Sequence, residues 1–195
     1  MASDVPSLPP IADVPNLDAV ARAQILDLLF EPSTQLHTLS VTPIAETTFS
    51  SYADLIALVG EQFNTLLNSD LESDQKWLDV ILGAHPRLGE KKVDSALSRQ
   101  EQAAMKAAES AAGRDSQAQA EAEGVAEKLA DLNRAYEATF PGLRYVTFVN
   151  GRPRPVIMED MERRIKSADL RQEKIDAIQA MCDIAKDRAR KLGAS

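Results

Sequence analysis

The residue types best suited to proton chemistry are concentrated in residues 84–102, A-H-P-R-L-G-E-K-K-V-D-S-A-L-S-R-Q-E-Q. His85, one of two histidines, follows the apolar run Trp77, Leu78, Val80, Ile81 and Leu82, which reads as a buried helix. Pro86 comes next. A residue before proline is driven out of the α region, so His85 is expected at or just past the helix end, its ring at a fixed angle. Farther on, Ser98-Arg-Gln-Glu101 has the S-x-x-E spacing of a capping box. That spacing predicts a second helix beginning at Ser98, with Glu101 and Gln102 in its first turn. An imidazole at one helix end and a carboxylate at another helix start can converge on one small pocket, as acid–base catalysis requires. Taken singly, each residue also has a plain structural reading. A helix-end histidine can bond the last carbonyls, the glutamate can simply cap, and the glutamine can be solvated.

The joint pattern says more. His85-Pro86-Arg87-Leu88-Gly89-Glu90 is followed by Ser98-Arg-Gln-Glu101-Gln102. Then come Leu132-Asn133-x-x-Tyr136-x-x-x-Phe140, Tyr145-Val146, Asn150-Gly151-Arg152 and Arg163-Arg164-Ile165. In order and approximate spacing, over roughly residues 17–192, the chain resembles the 2-oxo-4-hydroxy-4-carboxy-5-ureidoimidazoline (OHCU) decarboxylase family of purine degradation.

The resemblance implies a carboxy-lyase that needs no cofactor and no metal. The family's substrate is a five-membered ureide ring. One ring carbon carries a hydroxyl and a carboxylate, and its neighbour belongs to a C=N bond that can accept the electrons left by CO2. Pyridoxal, thiamine or a metal is then unnecessary. Protonation from one face gives (S)-allantoin. Carried over residue by residue, the resemblance makes His85 the acid/base, with an ordinary pKa near 6.5, and Glu101 the catalytic carboxylate. Glu101 could orient the imidazole or hold the proton. Pro86, Ser98, Gln102, Val146 and Arg164 become substrate-binding residues. Gln102 can both donate and accept, the backbone at 145–146 would offer amide contacts, and a planar guanidinium at Arg164 suits a carboxylate or carbonyl pair. Arg163 and Arg164 are adjacent on a helix, so only one can point inward; Arg164 is the match. The resemblance also implies a homodimer. Departures are Arg87, where many family members carry aspartate, Phe140-Pro-Gly-Leu-Arg-Tyr-Val146 in place of F-G-F-P-F-I, and Ser167 in place of asparagine. They bear on fine specificity more than on fold. Two other readings are a helical relative without turnover that serves as a binding module, and a hydrolase of another ureide, for which no paired nucleophile is evident.

Bulk properties narrow the classes. With 22 basic and 30 acidic residues the net charge is −8, which disfavours nonspecific nucleic-acid binding. A small anionic ligand remains compatible, because one local arginine can outweigh the global field. The lone Cys182 cannot form an internal disulfide and reads as a small core residue in a reducing compartment. Two histidines and one cysteine argue against structural zinc. There is no long apolar run for a membrane span and no signal-like N-terminus. The tail Leu192-Gly-Ala-Ser195 is not S-K-L. The expectation is cytoplasmic, with peroxisomal as the alternative.

The elements that must position these residues read as an all-α, single-domain helical bundle of about seven to nine helices. Residues 1–15, with Pro6, Pro9, Pro10 and Pro15, read as an extended, flexible arm, and 16–195 as the helical domain. A first helix over 17–30 is capped by Asn16 and ends at Pro32. Residues 33–50 read as a turn-rich segment in which His37 is structural or solvent-facing. Ser50 or Ser51 caps a helix over 52–68, and the helix of Trp77 leads to His85. An alanine-rich helix over 98–111 ends at Gly113, and 114–124 could be a loose helix start or a loop. Val125, Leu129, Leu132, Tyr136 and Phe140 mark the next helix. Arg144-Tyr-Val-Thr-Phe-Val149 looks strand-like, but Arg-Pro-Arg-Pro after it cannot complete a ladder, so an extended segment is expected. Helices over 155–166 and 169–192 close the chain, the last with an apolar stripe through Ile175, Ile178, Cys182, Ala185, Ala189 and Leu192.

Overall fold

The structure is a computed structural model that describes residues 7–89, 99–103 and 116–194, with backbone alone for 116–123. Its helices are α1 (Ala19–Leu29), α2 (Thr34–Ala45), α3 (Tyr52–Asn68), α4 (Glu72–Leu82), α5 (Ser116–Thr139), α6 (Arg154–Ser167) and α7 (Leu170–Lys191). Residues 99–103 are also helical, and there is no strand among the described residues. The all-α class is as expected. Ser98 and Gly113 lie outside the described residues.

Helix α3 forms the centre. Leu55, Ile56, Val59 and Phe63 repeat at helical spacing and are fully buried. Ser51 caps its start by accepting from the Asp54 amide at 3.2 Å. Asp54 accepts in return from the Ser50 amide at 3.1 Å. Its principal partner is α7, and the approach is close. A Cβ on Gly60 would lie 3.1 Å from Cys182 Sγ. Burial pushes the Cys182 thiol up to about 11, so it behaves as a packing group rather than a nucleophile.

Several local expectations are corrected. The turn-rich reading of 33–50 gives way to helix α2, capped by Ser33 through the Leu36 amide at 3.4 Å. Pro43 sits in the last turn of that helix and cannot donate to the Leu39 carbonyl. Gln62 of α3 supplies the missing donor at 3.1 Å and accepts from the buried Ser40 hydroxyl at 2.7 Å. Near the start of the chain, Ile11–Asn16 form a 3-10 helix, with Val14 fully buried and the Pro9 carbonyl accepting from Tyr52 at 2.8 Å. Asp18, not Asn16, caps α1. Finally, Trp77 and Val80 face outward at 37% and 49% exposure, while Leu78, Ile81 and Leu82 fill the core side of α4. Ile175 likewise lies on the outside of α7.

No helix among the described residues is long and apolar enough to cross a membrane. Residues 143–149 form neither helix nor strand, consistent with the prolines that follow. Asn150 and Gly151, both at positive φ, turn the chain into α6.

The Gln62 bridge yields a stability test. Gln62→Leu strips partners from the Leu39 carbonyl and the Ser40 hydroxyl at once. The cost should be about 1–3 kcal/mol in urea unfolding, whereas an exposed control such as Gln179→Leu should change little.

Candidate functional site

His85 lies just past the end of α4, as its neighbour Pro86 requires. The helix closes through Gly83, whose amide bonds the Asp79 carbonyl at 2.8 Å. A Cβ at Gly83 would meet the Gly142 carbonyl at 2.4 Å, so only glycine allows this helix end to press against the 141–142 turn.

The loop after His85 is held by α5. Asn133 donates to the Leu88 carbonyl at 3.0 Å, and Arg87 grips Glu137 through Nε and, at 2.7 Å, Nη2. Arg144 approaches the same carboxylate at 2.6 Å. The bond from Arg87, with the charge of Arg144, holds Glu137 below the usual carboxylate range. Gly89 has φ +82, and a Cβ there would fall 2.7 Å from Leu129 Cδ2 of the same helix. Opposite, Gln102 donates to the Arg87 carbonyl at 3.2 Å, which ties the 99–103 segment to the loop.

Glu101 is committed to a residue that the sequence pattern did not single out. Arg188 of α7, 0% exposed, donates from Nε to Glu101 Oε1 at 2.9 Å and from Nη2 to Oε2 at 3.0 Å. Its Nη2 also reaches Glu31 at 2.8 Å, and Nη1 bonds the Phe30 carbonyl at the end of α1. Burial alone would lower the Arg188 pKa, but the bonds and charges of Glu101 and Glu31 outweigh it and raise it. One signal was available: Arg188 occupies an inner position of the α7 stripe, among the buried residues Ile184, Ala185 and Ala189.

His85 is 8% exposed, and neither ring nitrogen has a hydrogen-bond partner. It is therefore not oriented by Glu101. Burial, then the nearby Arg188 charge, lowers its pKa to about 3, so near neutrality the free imidazole is uncharged. Gln102 Oε1 is also buried without a partner.

A second cluster surrounds Arg164. This residue is buried, at 9% exposure, while Arg163 is exposed beside Asp160. Arg164 Nη1 donates to Glu173 at 3.1 Å and to the Val146 carbonyl at 3.4 Å, and Nε lies 3.0 Å from Asp160, misaligned for a hydrogen bond. The guanidinium stacks 5.0 Å from the Tyr145 ring centre. Tyr136 donates to the same Glu173 oxygen at 2.5 Å, and Tyr145 to Asp160 at 2.6 Å. Burial, reinforced by these carboxylates, pushes both phenols upward.

The structure thus brings His85, Pro86, Gln102 and Glu101 together around one loop, and Val146 with Arg164 around another. The two groups are joined through α5, where Asn133 and Glu137 hold the first loop and Tyr136, on an adjoining position, reaches the second. His37 has a structural partner, Asp27 at 2.6 Å. No group of three or more histidine, cysteine, aspartate or glutamate residues suited to a metal occurs among the described residues.

The buried histidine makes acid stability a direct test. The unfolded imidazole binds a proton near pH 6.5, but the folded one does so only near 3. Between these values the unfolded state holds more protons, so stability contributed by neutral His85 is full above 6.5 and is lost as pH falls. The stability of wild type relative to His85→Asn should decline by about 1.4 kcal/mol per pH unit in that window. A pH-independent difference in urea titrations would contradict the burial of a neutral imidazole.

Three comparisons bear on this arrangement. A family model described as OHCU decarboxylase matches residues 15–190. A solved structure described as (S)-allantoin synthase shares the fold with a TM-score of 0.59 at 18% identity. The match covers 94% of this chain and 54% of that one, so the chain spans about half the length of that protein. No curated protein sequence matches.

Proposed function

The chain belongs to the OHCU decarboxylase family, and from that premise we propose that it removes CO2 from OHCU without a cofactor and delivers (S)-allantoin. One observation carries this reading. Among the described residues, three of the six buried side-chain atoms without a hydrogen-bond partner, both His85 nitrogens and Gln102 Oε1, gather around a single loop, where they suit a polar ligand. A purely structural histidine would ordinarily have found a carbonyl.

The chemistry follows from the substrate's own C=N bond. As the C–C bond to the carboxylate breaks, its electron pair forms a ring C=C bond and the C=N pair moves onto nitrogen, which takes up a proton. The resulting enol loses its hydroxyl proton and gains one on the neighbouring carbon. The protein's task is to bind the ring, bury the carboxylate and direct these protons. His85, neutral before substrate arrives, is able to accept the hydroxyl proton. An anion held beside it opposes both causes of its low pKa and favours imidazolium. The proton is then available for return to carbon from one face, which sets the configuration. Glu101 contributes a fixed carboxylate on the same side. Gln102 bonds the ring amides, Pro86 lines the loop beside His85, Ser98 is assigned to substrate binding by the motif alone, and Arg164 with the Val146 backbone holds the far side of the ring.

The test is to add the purified protein to a urate oxidase and hydroxyisourate hydrolase reaction and to follow optical rotation. Wild type should speed CO2 release and yield optically active (S)-allantoin, whereas spontaneous decay gives the racemate with no net rotation. His85→Ala and Glu101→Ala should each lose roughly 100-fold or more of the acceleration with helical circular dichroism intact. Full activity in both variants would refute the assigned site.

A further inference from the structure

We propose that Arg188 is a positioning residue for Glu101, holding the carboxylate by both oxygens at one fixed orientation over the site. This rests on the decarboxylase reading above. The guanidinium is fully out of solvent and is anchored from behind by the Phe30 carbonyl and by Glu31. Glu31, itself buried, already supplies one negative charge to compensate it. Glu101 is the second carboxylate on one cation, and its side chain remains 30% exposed. An exposed carboxylate needs no buried arginine for its own solvation. What the two parallel bonds of 2.9 and 3.0 Å provide is direction. They also cross 87 positions of sequence, joining the last helix to the helical residues that include Glu101 and Gln102.

The same Arg188 that holds this carboxylate also pairs with Glu31 after α1, and its charge reaches His85 past the end of α4. A lysine at position 188 would keep the positive charge, but a compact ammonium cannot present two parallel donors. The role therefore separates from simple charge compensation.

The experiment is a kinetic cycle under single-turnover conditions, with enzyme in excess over freshly generated OHCU. Arg188→Lys should lower the rate constant roughly 10- to 100-fold and change substrate affinity by less than about 3-fold. In a Glu101→Gln background the same substitution should change the rate by less than about 2-fold, because its target is already gone. Glu101→Asp, which keeps the charge but shortens its reach, should show a comparable loss of rate with helical circular dichroism retained, since the carboxylate falls away from the fork. Independent, multiplicative losses for Arg188→Lys and Glu101→Gln would overturn the inference. So would full activity in Glu101→Asp, or an Arg188→Lys effect confined to the melting temperature. A wild-type protein without turnover would instead overturn the decarboxylase reading, and this role with it.

Discussion

A guanidinium sealed from water dominates one side of this molecule. Desolvating an ion costs several kcal/mol even after the protein relaxes, so Arg188 is tolerated only because its surroundings answer it donor by donor. The end of α1 offers a carbonyl that the helix cannot use itself, the next residue offers Glu31, and the segment 99–103 comes in to offer Glu101. The same charge bears on His85 and helps to keep that ring neutral. Three parts of the chain distant in sequence are therefore placed by one electrostatic requirement.

The Arg164 cluster solves a related problem differently. There the cation is balanced by Glu173 and Asp160, and two tyrosines complete the bonding of those carboxylates. Glu173 stands in the first turn of α7, where the helix dipole also favours a negative charge. Arg188 stands in the last turn of that same helix, where the dipole favours a positive one. A single helix thus carries one key ion of each cluster at the end best suited to its sign.

Much of this could be read from residue order because the causes are local. Proline after His85 and serine before Tyr52 act within a few residues, and the spacing of Leu55, Ile56, Val59 and Phe63 is a property of one helix. Arg164 rather than Arg163 is the buried member of its pair, as the matching of motifs had it. What was not legible depended on distant partners. Helix α2 looked turn-rich because Pro43 removes a donor, and the replacement comes from Gln62 on another helix. Trp77 and Val80 looked like core by hydropathy alone, while their angular position on α4 sends them outward. Arg188 failed to stand out for the opposite reason, a charge at an apolar register whose two carboxylate partners lie far away in the chain. Of the alanine-rich helix expected over 98–111, the described residues 99–103 are helical.

Helix α5 acts as a common chassis. Asn133 and Glu137 secure the histidine loop, Leu129 leaves room beside Gly89 only for a hydrogen, and Tyr136 reaches the carboxylate that steadies Arg164. Because these side chains share one rigid rod, the spacing between the histidine loop and the Arg164 cluster is set by helical pitch rather than by loop length. A small tilt or twist of that rod would carry both clusters together and leave their relative alignment preserved, while a slip of a single residue would turn all of these grips about 100° away at once.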